Sequence, residues 1–348
     1  MRATPILLSA LALASLGIAG WSGEVAPAID AAKLKGFTPL PDVTPSAAGA
    51  LAASQIGLGR MLYYDARLSK GQDVSCNTCH DLAKYGADNE PTSEGYKKQH
   101  GTRNSPTVYN AALHVAQFWD GRAPDVEAQA KGPMLNPVEM AMPSGTAVVA
   151  VLKSMPGYVA AFQRAFPGEQ DPVTLDNAVK AIGAFERKLI TPSRWDKFLK
   201  GDASALTPAE KAGFLTFSNA GCPACHAGAL LGGNLYQKIG VVTPYPDASD
   251  QGRFQVTKSD RDKMVFKVPS LRNVEKTGPY FHNGRVPTLD AAVTQMAGYQ
   301  LGKQLSRREV RSIVTFLKTL TGEIPAEYIK PPELPKGAPR TRGPASSD

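Results

Sequence analysis

The sequence is short of several things that would otherwise set its class. It has only four cysteines among 348 residues, and all four fall into two motifs, so none is left for a wider disulfide framework. It has no basic run. Its 39 Lys and Arg against 31 Asp and Glu leave a net charge of +8, but these residues are spread along the chain. That dispersion excludes a nucleic-acid-binding tract and reads as solvated surface charge, with steering of an acidic protein partner as the secondary reading. Beyond the first residues there is no apolar run long enough to span a bilayer. Period-two alternation is scarce too, which leaves a mostly α architecture.

At this length, with 43% hydrophobic content, the chain can bury a real core, and its size suggests two domains. Arg2 and the apolar stretch Ile6 to Ala19 read as an export signal over residues 1–22, and hence as a periplasmic location. The alternative is an uncleaved anchor, because Trp21 follows at once and no strict Ala-x-Ala site stands out. Residues 331–348, with Pro331, Pro332, Pro335, Pro339 and Pro344, read as a flexible Pro-rich tail. Between these ends, Ser306 and Glu309 form a capping box for a helix with Val310, Ile313, Val314, Leu317 and Leu320 on one face. Thr207 and Glu210, with Pro208 between them, start a second helix that carries Phe214 and Phe217 into Gly221-Cys222. Ala178, Ile182, Phe185 and Leu189 mark a third near the join of two halves.

The two motifs are Cys76-Asn77-Thr78-Cys79-His80 and Cys222-Pro223-Ala224-Cys225-His226. In such a motif the two thiols add to the vinyl groups of a c-type haem, and the adjacent histidine becomes the proximal ligand of its iron. A disulfide within each pair or a four-Cys zinc site are the plainer alternatives, but neither explains a histidine directly after both pairs. The separation of the motifs gives each haem its own cytochrome c-like helical domain, over 40–200 and 201–325.

What occupies each iron's sixth position separates electron transfer from catalysis. Downstream of His226 the methionines are Met264, in a charged loop, and Met296, in an expected short helix starting near Thr288. Met296 is the favoured ligand against a core-filling role, and His282 is a competitor or a hydrogen-bond donor to a haem propionate. Around the first motif stand His100, His114, Trp119, Gln129 and Glu139. Glu139 is the candidate for moving the proton that cleavage of an O–O bond requires. Trp119 is a core residue or a short cut for electrons between two haems, and His114 reads as a packed or exposed helix residue.

Five segments in order make a resemblance specific: Arg103-Asn104-Ser105-Pro106-Thr107-Val108, Gln117 to Arg122, Gly132 to Met140, Phe266 to Asn273, and Gly278 to Gly284. From roughly Leu40 through Ile324 the chain resembles the bacterial dihaem cytochrome c peroxidases. The resemblance implies two haem c groups, a low-potential peroxidatic haem on His80 with Gln129 and Glu139 over it, and a high-potential haem on His226 with Met296 opposite. It implies Trp119 as the electron path and a structural calcium at Asn104, Thr277 and Pro279, whose hard oxygen donors suit that ion. It also implies hydrogen peroxide as substrate, a small cytochrome c or cupredoxin as electron donor, and a homodimer. One departure stands out: where several relatives carry a histidine that caps the peroxidatic iron, this chain has Tyr96, with His100 close enough to replace it in a shifted register. Two rival functions are a dihaem electron carrier and an enzyme that oxidises a protein side chain, as in methylamine dehydrogenase maturation. The latter carries a tyrosine where Met296 stands.

Overall fold

The computed structural model describes residues 29–42 and 51–337. The expected signal over 1–22, and the tail from 338 onward, lie outside the described residues. The described chain is mostly helical, and its sheet is one antiparallel pair, Tyr236–Lys238 against Val265–Lys267, with Tyr236 opposite Lys267. Among the described residues no single helix is long and apolar enough to cross a membrane. The stretch 331–337 lies against the body, where Arg67 Nη1 donates to the Pro335 carbonyl at 2.9 Å.

Local signals place the helices where the sequence puts them. Ser306 caps Arg307–Lys318, with its N–H on Glu309 Oε2 at 2.8 Å and its Oγ accepting from the Glu309 N–H at 3.3 Å. The expected face of Val310, Ile313, Val314, Leu317 and Leu320 is buried. Thr207 caps Pro208–Ala220 in the same way, and Gly221 at φ +101° closes it. The positive φ there suits a glycine with no Cβ to strain.

The buried apolar residues form two large clusters. One is built on the helices Ala53–Tyr64, Gly145–Lys153, Pro156–Ala165 and Leu175–Glu186. The other joins Pro208–Ala220 and Arg307–Lys318 to Phe37 and Trp195, so it draws on residues from both sides of position 200. Each cluster contains one helix pair brought together at a glycine. A Cβ on Gly59 would meet the Ala181 carbonyl at 1.8 Å, and one on Gly213 would meet the Ser312 carbonyl at 2.3 Å. In both pairs, backbone approaches backbone more closely than side chains normally allow.

A buried ion pair links the parts. Arg272 donates to both oxygens of Asp196, at 2.6 and 2.9 Å, and to the Ala229 carbonyl at 2.8 Å. Asp196 also accepts the Leu40 and Ser193 N–H groups, both at 2.7 Å. The Arg272 side chain is 1% exposed, so removing it strands a carboxylate away from water. Replacing Arg272 with Met is expected to lower stability by about 3–5 kcal/mol in chemical denaturation. A loss under about 1 kcal/mol, the range of an exposed pair, would contradict this role.

Candidate active site

Each Cys-x-x-Cys-His motif folds as one tight turn. Cys76–Cys79 is a single helical turn capped by Ser75 and Thr78, and the His80 N–H returns to the Cys76 carbonyl at 3.0 Å. The second motif repeats the return, with the His226 N–H on the Cys222 carbonyl at 3.0 Å. All four thiols are free, so neither pair is a disulfide. Among the described residues no three His, Cys, Asp or Glu side chains gather as a metal site, which removes the four-Cys zinc alternative. Burial pushes the Cys76 thiol well up, and raises Cys79 and Cys222 each to about 11.

Both imidazoles suit iron ligation, which needs a neutral ring with a free lone pair. Burial pushes His80 and His226 below the ordinary histidine value. His226 Nδ1 lies 3.0 Å from the Leu231 carbonyl. An N–H there leaves the lone pair on Nε2, so one backbone bond selects the ligand nitrogen. His80 Nδ1 is buried without a hydrogen bond of ordinary geometry. The Gly86 and Pro106 carbonyls nevertheless lie near enough to oppose part of the effect of burial. Paired, partly buried thiols, each pair followed by an imidazole whose proton affinity is lowered, are a donor set that fits covalent haem at both motifs.

Of the residues around the first motif, Glu139 lies within electrostatic reach of Cys79. It follows the helix Val126–Leu135 in a loop where Asn136 Nδ2 donates to its Oε1 at 2.6 Å. Burial raises the Glu139 carboxyl, while the Asn136 bond and the nearby Arg122 guanidinium pull it back. Its charge in turn helps raise Cys79, which puts carboxyl and haem-attachment turn within electrostatic reach. Gln129 lies half-buried on the preceding helix. The Tyr96 N–H donates to the Glu139 carbonyl at 2.8 Å, and Lys70 and Lys97 stand over its ring at 5.4 and 5.7 Å. Tyr96 thus lines a pocket with Lys70, Leu135, Pro137 and Met142. His100 is exposed, with Nδ1 3.0 Å from the Thr92 carbonyl.

Near the second motif, Met296 lies on the helix Leu289–Leu301 and packs with Trp119 and Tyr245 against Ile239, Met264 and Phe266. Both candidate methionines therefore reach one cluster. The Met264 sulfur is engaged by Gln251 Nε2 at 4.0 Å, and its backbone has φ +61°. His282 is 2% exposed, stacks on Phe266 at 4.3 Å, and has its Nε2 buried without a partner. Trp119 touches both halves of the chain. Its Nε1 donates to the Asn104 carbonyl, and its own carbonyl accepts from the Lys267 N–H at 2.8 Å. Asn104 Nδ2 donates to the Glu90 carbonyl at 2.9 Å.

Four site residues escape sequence reasoning. Ser93 hydrogen-bonds Asp88 and lies 2.6 Å from Ser105 Oγ, while Asp88 acts electrostatically on Cys79 and His80. Lys267 is taken up below. Glu186 continues the apolar series Ala178, Ile182, a spacing that could have revealed it as a carboxyl on a core face. It is 5% exposed, burial with the charge of Glu127 raises it to about 8, and it acts on Cys76 and Tyr63. The folded protein therefore holds a proton that the unfolded chain releases near pH 4.5, so this group's stabilisation is lost as pH rises toward 8. Denaturation of wild type and Glu186→Gln at pH 5 and pH 8 is expected to show the wild type losing a few kcal/mol relative to the variant. Parallel pH profiles would contradict the assignment.

Comparison with known proteins bears on this arrangement. The sequence model of the family described as di-haem cytochrome c peroxidase matches residues 53–204. The chain is 48% identical to the cytochrome c551 peroxidase of Pseudomonas aeruginosa over 317 residues, covering 89% of this chain and 90% of that protein. It is 47% identical to the cytochrome c551 peroxidase of Nitrosomonas europaea over 289 residues, covering 82% and 84%. Among solved structures, a MauG-like protein associated with microbial copper homeostasis superposes with a TM-score of 0.75 at 27% identity, covering 84% of this chain and 97% of that one.

Proposed function

Because the chain belongs to the di-haem cytochrome c peroxidase family, we propose that it reduces hydrogen peroxide to water with electrons from a small redox protein. Peroxide, two protons and two electrons become two waters. The observation that carries this reading is Glu139, a carboxyl raised by burial, tethered by Asn136, and within electrostatic reach of the Cys79-His80 turn. A pure electron carrier has no use for such a group. The cytochrome c551 peroxidase relatives are closer than the MauG-like structure, which favours peroxide reduction over side-chain oxidation.

Two haem c groups are implied by the family, and our reading gives one to Cys76, Cys79 and His80 and the other to Cys222, Cys225 and His226, each in its own domain, 40–200 and 201–325. A bound haem supplies an iron that can hold a peroxide oxygen and pass electrons to it. The chain supplies the rest. Glu139 takes a proton from one peroxide oxygen and returns it to the oxygen that leaves as water. Asn136 fixes the carboxyl, and Gln129 orients the peroxide. Met296, whose sulfur is not engaged by Gln251 as that of Met264 is, would be the second protein ligand of the haem held at His226. Trp119 carries electrons between the halves, a role supported by its bonds to Asn104 and Lys267.

The same reading includes a structural calcium at Asn104, Thr277 and Pro279, on the strength of the resemblance. Amide and carbonyl oxygens are hard donors of the kind that ion takes. Tyr96 faces Lys70 and Lys97, and His100 faces Thr92. These placements favour a first haem whose distal side is not capped by either. Export to the periplasm, on the strength of Arg2 and the apolar stretch Ile6 to Ala19, completes the proposal together with a cytochrome c or cupredoxin donor and a homodimer, which the resemblance supports.

Steady-state oxidation of a reduced small cytochrome by peroxide tests it. Glu139→Gln is expected to lose about a hundredfold or more in kcat while both haem absorption spectra stay as in wild type; unchanged turnover would sink the mechanism. The carboxylate must accept a proton, so activity should fall as pH drops through its raised pKa. Arg122 favours the anion, and Arg122→Ala should therefore move that acid limb to higher pH. A limb that stays in place would show that another group sets it.

A further inference from the structure

Lys267 is a buried cation that nothing so far explains. It is 6% exposed, and no carboxylate of the described residues lies within ion-pair distance of its Nζ. Its side-chain partner is a base: His114 Nδ1 stands 2.7 Å away. Burial alone pushes the ammonium down to about 8, with no nearby anion to raise it. The other buried bases are treated differently. Arg272 meets Asp196 with two bonds, and Arg103 lies between Asp120 and Asp250.

The contact also fixes the histidine. An ammonium can only donate, so Nδ1 accepts and the ring proton sits on Nε2. That Nε2 is buried without a partner. A spare ammonium proton and a spare imidazole N–H thus lie on one small interior patch, an arrangement that is costly until an anion with free lone pairs joins it. The patch adjoins the second haem turn. Val268, next to Lys267, accepts the Gly233 N–H at 2.8 Å. A Cβ on Gly233 would lie 3.0 Å from the His114 ring, and one on neighbouring Gly232 would lie 3.3 Å from His226 Nδ1.

We propose that Lys267 and His114 form a two-point receptor for a propionate carboxylate of the haem carried by His226, gripped by one residue from each half of the chain. The inference rests on the two-haem reading above. It gives Lys267 its missing anion and His114 Nε2 its missing acceptor. It also places a fixed positive charge beside the cofactor, where it favours the reduced iron.

The test is a redox titration of the holoenzyme with the two haems followed separately, after covalent haem is counted as the pyridine haemochrome. Lys267→Met should lower the equilibrium constant for reducing the His226 haem about tenfold, a shift of about 59 mV for one electron, and move the His80 haem less. Lys267→Arg, which keeps the charge, should restore most of it. If Lys267→Met does not accumulate, His114→Leu should lower the same potential by a smaller amount. Fewer than two haems in the wild type would overturn the underlying reading. Two haems with an unchanged His226 potential in these variants would overturn the receptor alone. So would a wild-type potential that tracks added chloride or acetate, because a solvent anion would then occupy the patch.

Discussion

Everything in this molecule depends on two short turns that must each hold an imidazole, its proton affinity lowered by its surroundings, beside a pair of thiols. Burial lowers the proton affinity of both rings, and an iron ligand needs a neutral imidazole. A buried ring also needs a fixed direction, which the Leu231 carbonyl supplies for His226. The two helix pairs that meet at Gly59 and Gly213 supply the dry surroundings. The rest of the fold is consistent with that demand. The helix Pro208–Ala220 ends at the second turn, the Leu231 carbonyl returns to His226, and the buried Asp196 and Arg272 are paired.

The halves are joined through polar contacts around Trp119. Arg103 binds Asp120 and Asp250, the Asn104 N–H reaches the His282 carbonyl, and the Lys267 N–H reaches Trp119 itself. These bonds tie residues 103–120 to Asp250, His282 and the strand Val265–Lys267. On the proposed path through Trp119 an electron passing between two cofactors would cross this same seam, and these contacts would then also set the distance it travels. Glu139, by contrast, is held locally by Asn136 three residues before it, so its position is set within one loop.

What was legible in the sequence was what is local. The capping boxes at Ser306 and Thr207 depend on residues three apart, and both form. The attachment motifs span five residues and fold as single turns. Glu139 could be singled out because its loop carries a family segment, although its raised carboxyl comes from burial that no sequence displays. Distant contacts were not legible. Gly59 and Gly213 look like ordinary helix glycines until Ala181 and Ser312 are seen against them. His114 read as a packed or exposed helix residue, yet it closes the 3-10 turn Ala111–Leu113 and meets Lys267, 153 positions away. Met264 and Met296 could not be ranked by geometry from sequence, because their convergence on one cluster is a tertiary fact.

The central claim is that the two motifs are unequal, with peroxide chemistry at His80 and electron storage at His226. Electron paramagnetic resonance of the half-reduced holoenzyme titrated with cyanide tests this most directly, with a haem-deleted Cys76→Ala Cys79→Ala variant to assign the signals. The account predicts that cyanide converts the ferric signal of the His80 haem alone, while the His226 haem is already reduced and inert. Cyanide binding at the His226 haem, or at neither, would contradict it.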